Sequence, residues 1–134
     1  MKKVQSLDFG GLEPEYTRYE TAKYVVLPVP YDRTSTWKQG ADQGPRAILE
    51  ASANMELYDI ESDAEPYLAG IHTAEPIVCE APPDVLYEQV LAQARKVVAD
   101  GKLPVTLGGN HCVPIGSCRA ACEALPREQV SILQ

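Results

Sequence analysis

Leu103-Pro104-Val105-Thr106-Leu107-Gly108-Gly109-Asn110-His111 is the stretch on which the fold turns. Leu103 to Leu107 is a short, mostly apolar run with the composition of a strand buried on both faces. Gly108 and Gly109 let the backbone turn tightly and come close to its neighbours. His111 then stands where the strand hands over to the next element. A similar apolar run, Tyr24-Val25-Val26-Leu27-Pro28-Val29, lies about 80 residues upstream. Pro28 has no N–H for a ladder, so that strand is expected to end near it.

Helical signals alternate with these strands. Gly44-Pro45-Arg46-Ala47-Ile48-Leu49-Glu50 opens a helix expected to reach about Asn54, with Pro45 at its first position. Pro82-Pro83-Asp84 opens a second, with Asp84 as the expected N-cap. Leu86, Val90, Ala94, Val97 and Val98 recur along it at helical spacing, and Asp100-Gly101 closes it. A third helix is expected over 115–124. Short strands are expected near Gly70-Ile71-His72-Thr73 and from Val130 to Gln134, and a short extended piece from Leu57 to Ile60. Residues 1–20 read as an irregular lead-in.

This alternation predicts an α/β fold, three-layer α/β/α with a mostly parallel sheet, in one domain over residues 1–134. Ligand sites in such folds lie at the carboxyl ends of the strands. The loops after Val29 and after Leu107 are therefore the places to search.

Composition narrows the partners. Hydrophobic residues make up 45% and charged residues 23%, a globular balance. The net charge of −7 argues against nucleic-acid binding. No apolar run is long enough to span a bilayer, and the first residues lack the apolar core of a signal peptide, so a cytoplasmic, membrane-free protein is expected. Cys79, Cys112, Cys118 and Cys122 fit no common zinc pattern and read as reduced thiols.

His111, on a stiff turn at the sheet's carboxyl edge, is a candidate metal ligand; the alternative is a histidine that caps the next helix. Asp32 orients its loop or a metal-site group, or caps its own turn. Cys112 has no base partner that would make it a nucleophile. Trp37 is read as a packing residue, Arg46 as a surface residue near a carboxylate, and His72 as an ordinary strand residue.

Thr106-Leu107-Gly108-Gly109-Asn110-His111-Cys112-Val113-Pro114-Ile115-Gly116 resembles the Gly-Gly-(acid)-His-Ser segment of the ureohydrolase (arginase/agmatinase) family. Leu27-Pro28-Val29-Pro30-Tyr31-Asp32, Thr34-Ser35 and Gly40-Ala41-Asp42-Gln43-Gly44-Pro45-Arg46-Ala47-Ile48 resemble that family's first strand, loop and helix. Glu56-Leu57-Tyr58-Asp59 and Asp100-Gly101-Lys102-Leu103-Pro104-Val105 are similar to agmatinase-like members. The resemblance implies an arginase/deacetylase-like sheet, represented incompletely. It implies two manganese ions sharing a hydroxide that attacks a guanidinium carbon, agmatine being the substrate favoured, with urea and an amine as products. It also implies a homo-oligomer at full length.

By the same resemblance His111 is a manganese ligand, and Gly108, Gly109, Asn110 and Asp32 shape the site around it. Asn110 stands where the family carries an acid, and Cys112 where serine is common. The family's Asp-Ala-His-x-Asp and Asp-x-Asp motifs, which supply the other ligands, do not occur in this sequence. No catalytic residue is therefore assigned, His111 is the single manganese ligand expected, and the 134-residue chain is expected to be inactive alone. Two alternatives stay open: a truncated non-catalytic fragment, or a complementing subunit that acts as a structural or binding module. The resemblance further implies that residues 130–134 form a strand separated from 103–107 by two others, and so without a partner here.

Overall fold

The structure, a computed structural model, describes residues 7–133. Three parallel strands form one sheet in the order β2-β1-β3, with β1 at Tyr24–Val29, β2 at Ile71–Thr73 and β3 at Leu103–Gly108. Three helices complete the unit: α1 at Gly44–Ser52, α2 at Pro83–Ala99 and α3 at Pro114–Ala124. The three-layer α/β/α expectation holds: α2 and α3 cover one face of the sheet and α1 packs on β1 and β3 from the other.

β1 is central, and its side chains show it. Val25, Leu27 and Val29 point to the α2–α3 face, where they meet Leu86, Val90, Leu91, Ala94, Val97, Val113 and Ala120. Val26, on the opposite face, is buried as well. The apolar run of β1 is the signature of a strand covered on both sides.

β1 extends one residue past the expected stop at Pro28. The Pro28 carbonyl accepts from the Ile77 N–H at 2.8 Å, on the β2 side. N–H and C=O of one strand residue point the same way. The missing N–H of Pro28 therefore faces the flank where β2 has already ended at Thr73, and no ladder bond to β3 is lost. Pro104 is placed by the same rule. Leu103 donates to the Lys23 carbonyl at 2.9 Å, so Pro104 faces outward from β3.

The helix boundaries differ in detail from expectation. Pro82, not Asp84, is the N-cap of α2; Asp84 lies in the first turn, where its charge complements the helix dipole. At the other end Gly101 adopts φ 72°, and the N–H groups of Gly101 and Lys102 close back on Val98 and Val97. α2 and α3 cross at Gly116, where a β-carbon would stand 2.7 Å from the Leu91 nitrogen.

Two expected extended pieces do not form. Residues 57–60 belong to an exposed turn closed by a single antiparallel bridge between Asp59 and Ala64. Residues 130–133 are irregular and make no ladder with β3; Gln134 lies outside the described residues. A strand needs a neighbour for its N–H and C=O groups, and among the described residues none is placed beside this segment. With no strand formed here, the separation from β3 that the resemblance implied has no counterpart among the described residues.

Residues 1–6 of the lead-in lie outside the described residues, and the rest of it is tied down at several points. Phe9 and Gly10 donate to Thr73 Oγ1 and Ser52 Oγ at 2.9 and 2.8 Å. Tyr19 donates to Asp100, and its phenol is pushed up to about 12, first by that hydrogen bond and then by burial. His72 is the ordinary strand residue expected, with Nδ1 against the Thr17 carbonyl at 2.8 Å. None of the described helices is long and apolar enough to cross a membrane.

Leu86 is fully buried where α2 meets β1, so Leu86→Ala should cost about 2–5 kcal/mol in urea unfolding. Ile60→Ala, at a side chain 84% exposed, should change stability by no more than about 0.5 kcal/mol.

Candidate active-site cleft

β1 and β3 run parallel and in register, so their carboxyl ends deliver two loops to the same edge of the sheet. Gly108 ends β3 against the Val113 side chain. Gly109 then passes so close to the loop after β1 that a β-carbon would fall 2.1 Å from the Tyr31 carbonyl oxygen. Neither Gly108 nor Gly109 has a positive φ. What the pair provides is close approach rather than an unusual turn. The Asn110 N–H donates to the Tyr31 carbonyl at 3.0 Å and joins the two loops. Tyr31 is itself buried and donates its hydroxyl to the Ala81 carbonyl at 3.0 Å.

Asn110 and Asp32 meet directly. Asn110 Nδ2 donates to Asp32 Oδ1 at 3.1 Å and to Ser35 Oγ at 2.8 Å, and its Oδ1 accepts the Thr34 N–H at 3.1 Å. Asp32 also accepts the Ser35 hydroxyl and the Gly40 and Ala41 N–H groups. The Ser35 hydroxyl, then the Gly40 N–H, hold the Asp32 carboxyl below the usual carboxylate range; partial burial opposes this, and Asn110 and Ala41 add to it. Asp32 is thus a loop organiser, with its oxygens committed to the protein. The sequence reading did not single out Ser35 for this network; its spacing three residues after an aspartate was the available signal.

His111 is exposed on the turn that follows. It borders two clefts. One, of about 400 Å³, is lined by Thr34, Ser35, Thr36, Trp37, Lys38, Asn110 and Cys112 as well. The other, of about 280 Å³, runs along Thr106, Gly108, Gly109, Val113 and Pro114. The structure thus brings His111 together with the loop after β1, at the carboxyl edge where a ligand site was sought.

The other donors do not converge on it. Among the described residues no group of three or more His, Cys, Asp and Glu side chains is placed to hold a metal ion. The four cysteines are unpaired, and Cys112 Sγ lies 3.6 Å from Thr34 Oγ1. Trp37 is not the packing residue expected; it is 90% exposed, at the tip of the loop. Arg46 pairs with Glu50 at 2.7 Å, a surface contact one helical turn away.

The model of the arginase family matches residues 22–134. The chain belongs to the arginase family. It is 41% identical over 114 residues to the N(1)-aminopropylagmatine ureohydrolase of Thermus thermophilus, covering 81% of this chain and 38% of that protein. It is 36% identical over 110 residues to the enzyme of the same name from Synechocystis, covering 78% of this chain and 36% of the relative. The crystal structure of the agmatine ureohydrolase of Thermoplasma volcanium superposes with a TM-score of 0.74 at 31% identity, over 83% of this chain and 36% of that one. This arginase-family chain therefore spans little more than a third of the length of the relatives it matches.

Two outcomes follow from the Gly109 and Asp32 contacts. Gly109→Ala should cost about 1–3 kcal/mol or more in chemical denaturation, because the Tyr31 carbonyl must move. Asp32 has a depressed folded-state pKa, so the order it gives the loop is full above the ordinary carboxyl range and lost as pH falls through the depressed value. The fluorescence anisotropy of Trp37, the one tryptophan, should report that loss in the wild type, and Asp32→Asn should flatten the response.

Proposed function

We propose that this chain is the part of a ureohydrolase that carries the first two site loops, and that the whole enzyme releases urea from a guanidino compound using manganese. The observation that carries this reading is His111 on the Gly108-Gly109 turn, held at the carboxyl edge of β3 beside the loop after β1. Agmatine was the substrate favoured from the sequence. The names of the two relatives described above favour N(1)-aminopropylagmatine, which carries the same guanidino head.

The residues of this chain do not by themselves fit a site for two manganese ions. His111 offers one imidazole, and the Asp32 carboxylate is already bound by Ser35, Gly40, Ala41 and Asn110. A pair of ions with a hydroxide between them needs several carboxylates and histidines. His111 is the residue proposed to hold manganese, and the remaining donors must come from other polypeptide. Asn110 keeps the shape of the acid it replaces and uses it to join the two loops, in a cytoplasmic enzyme of polyamine chemistry that assembles as a homo-oligomer.

The 134-residue chain with added manganese should release no urea from agmatine or N(1)-aminopropylagmatine. A chimaera that continues this chain with the unmatched remainder of the Thermus thermophilus relative should release it. His111→Ala should lower that rate by more than the roughly 10–100-fold that follows loss of a group behind a metal ligand. A folded chimaera without urea release, or one indifferent to His111→Ala, would overturn the proposal. Urea release by the 134-residue chain itself would overturn the donor argument.

A further inference from the structure

Trp37 sits at the tip of a loop fixed on both sides. Before it, the Thr34 N–H is held by Asn110 and the Ser35 hydroxyl by Asp32; after it, the Gly40 and Ala41 N–H groups are held by Asp32 again. One carboxylate therefore closes the loop like a ring. Thr36, Trp37, Lys38 and Gln39 all project from it into solvent. A large aromatic side chain is ordinarily worth burying. Here the loop that carries it is ordered, the side chain is 90% exposed, and it lines the same cleft as His111. An indole presented in this way has no packing role within the described residues.

Resting on the ureohydrolase reading, we infer that Trp37 is a substrate-binding residue whose indole face receives the cationic alkyl arm of an extended guanidino substrate, the arm that distinguishes N(1)-aminopropylagmatine from agmatine. An indole attracts an alkylammonium through its ring quadrupole and covers the methylenes beside it. The residues of this chain that line the cleft include no carboxylate that would pair with a cation. Within this chain, affinity for the arm therefore depends on the indole. Lys38, next to it, opposes a cation and weakens the attraction.

Trp37 is the one tryptophan, so intrinsic emission reports it alone. The 134-residue chain should show saturable quenching with N(1)-aminopropylagmatine, weaker quenching with agmatine, and none with neutral butylurea. By calorimetry Trp37→Ala should weaken N(1)-aminopropylagmatine binding about 2- to 30-fold, the range of a cation–aromatic contact from exposed to desolvated. Trp37→Phe should recover part of the loss. Lys38→Gln should tighten binding, a change of sign that a merely structural loop would not give. Unchanged emission, equal quenching by butylurea, or undiminished binding by Trp37→Ala would overturn the inference. Ligand-free emission of Trp37 in the chimaera, taken as the difference from its Trp37→Phe variant, already shifted to the blue would also overturn it, because the indole would then be packed against protein. The chimaera separates the two ideas. Urea release with a kcat/KM ratio between the two substrates unmoved by Trp37→Ala would leave the ureohydrolase reading standing and this one fallen. Saturable quenching without urea release would do the reverse.

Discussion

The turn after β3 lies against the loop after β1 so closely that only a glycine fits between them, and the rest of the site depends on that contact. Gly109 clears the Tyr31 carbonyl, the Asn110 N–H bonds to it, and the Asn110 side chain then reaches Thr34, Ser35 and Asp32. An amide suits this place because it must accept from a backbone N–H with one atom and donate to a carboxylate with the other. The position of His111 is fixed as a by-product: it is the next residue on a backbone already anchored on its N-terminal side.

The two sides of the sheet are unequally finished. The α2–α3 face is closed, with Val25, Leu27 and Val29 essentially inaccessible. Against the expectation of a strand buried on both faces, β3 is an edge strand: on the α1 face Leu103 and Val105 remain 51% and 42% exposed, and the outward N–H and C=O groups of β3 meet no strand among the described residues. Pro104 removes one of the outward donors. Exposed apolar side chains beside an open strand edge are an association hazard in any isolated chain. The ion pair of Glu123 with Arg95 links α2 to α3, and together with Arg119, one turn away on α3 itself, it draws the Glu123 carboxyl down to about 2, but these pairs lie at the surface and do not cover that edge.

The strands and long helices were legible because each repeats one local signal. The apolar runs of β1 and β3, the helical spacing from Leu86 to Val97 and the glycine after Asp100 all act within a few residues. Features that depend on distant partners were not legible. Nothing within 130–133 shows that no strand lies beside it among the described residues; the cap of α2, by contrast, had a local signal, since Pro83 at the first helical position makes Pro82 the cap. At the site, His111 could be placed at the sheet's carboxyl edge from the strand-turn pattern. The meeting of Asp32 with Asn110 joins residues about 80 apart and needed the β1–β3 register to be known. Trp37 was misjudged because aromatic residues are usually buried, and its exposure is a property of the loop's anchoring rather than of its composition.

The parallel pairing of β1 with β3 also sets an order of events during synthesis. Tyr24 waits for Leu103, so the central strand must remain without its longer partner until about 80 further residues have been made. β2 arrives earlier but covers only Tyr24 to Val26. At the usual pace of translation, on the order of 5–20 residues per second, Leu27 and Val29 stay unsheltered for several seconds. Their helix cover, α2, is also late, since it begins at Pro83. A slow codon placed between Thr73 and Pro83 would therefore lengthen the vulnerable interval more than one placed after Gly108.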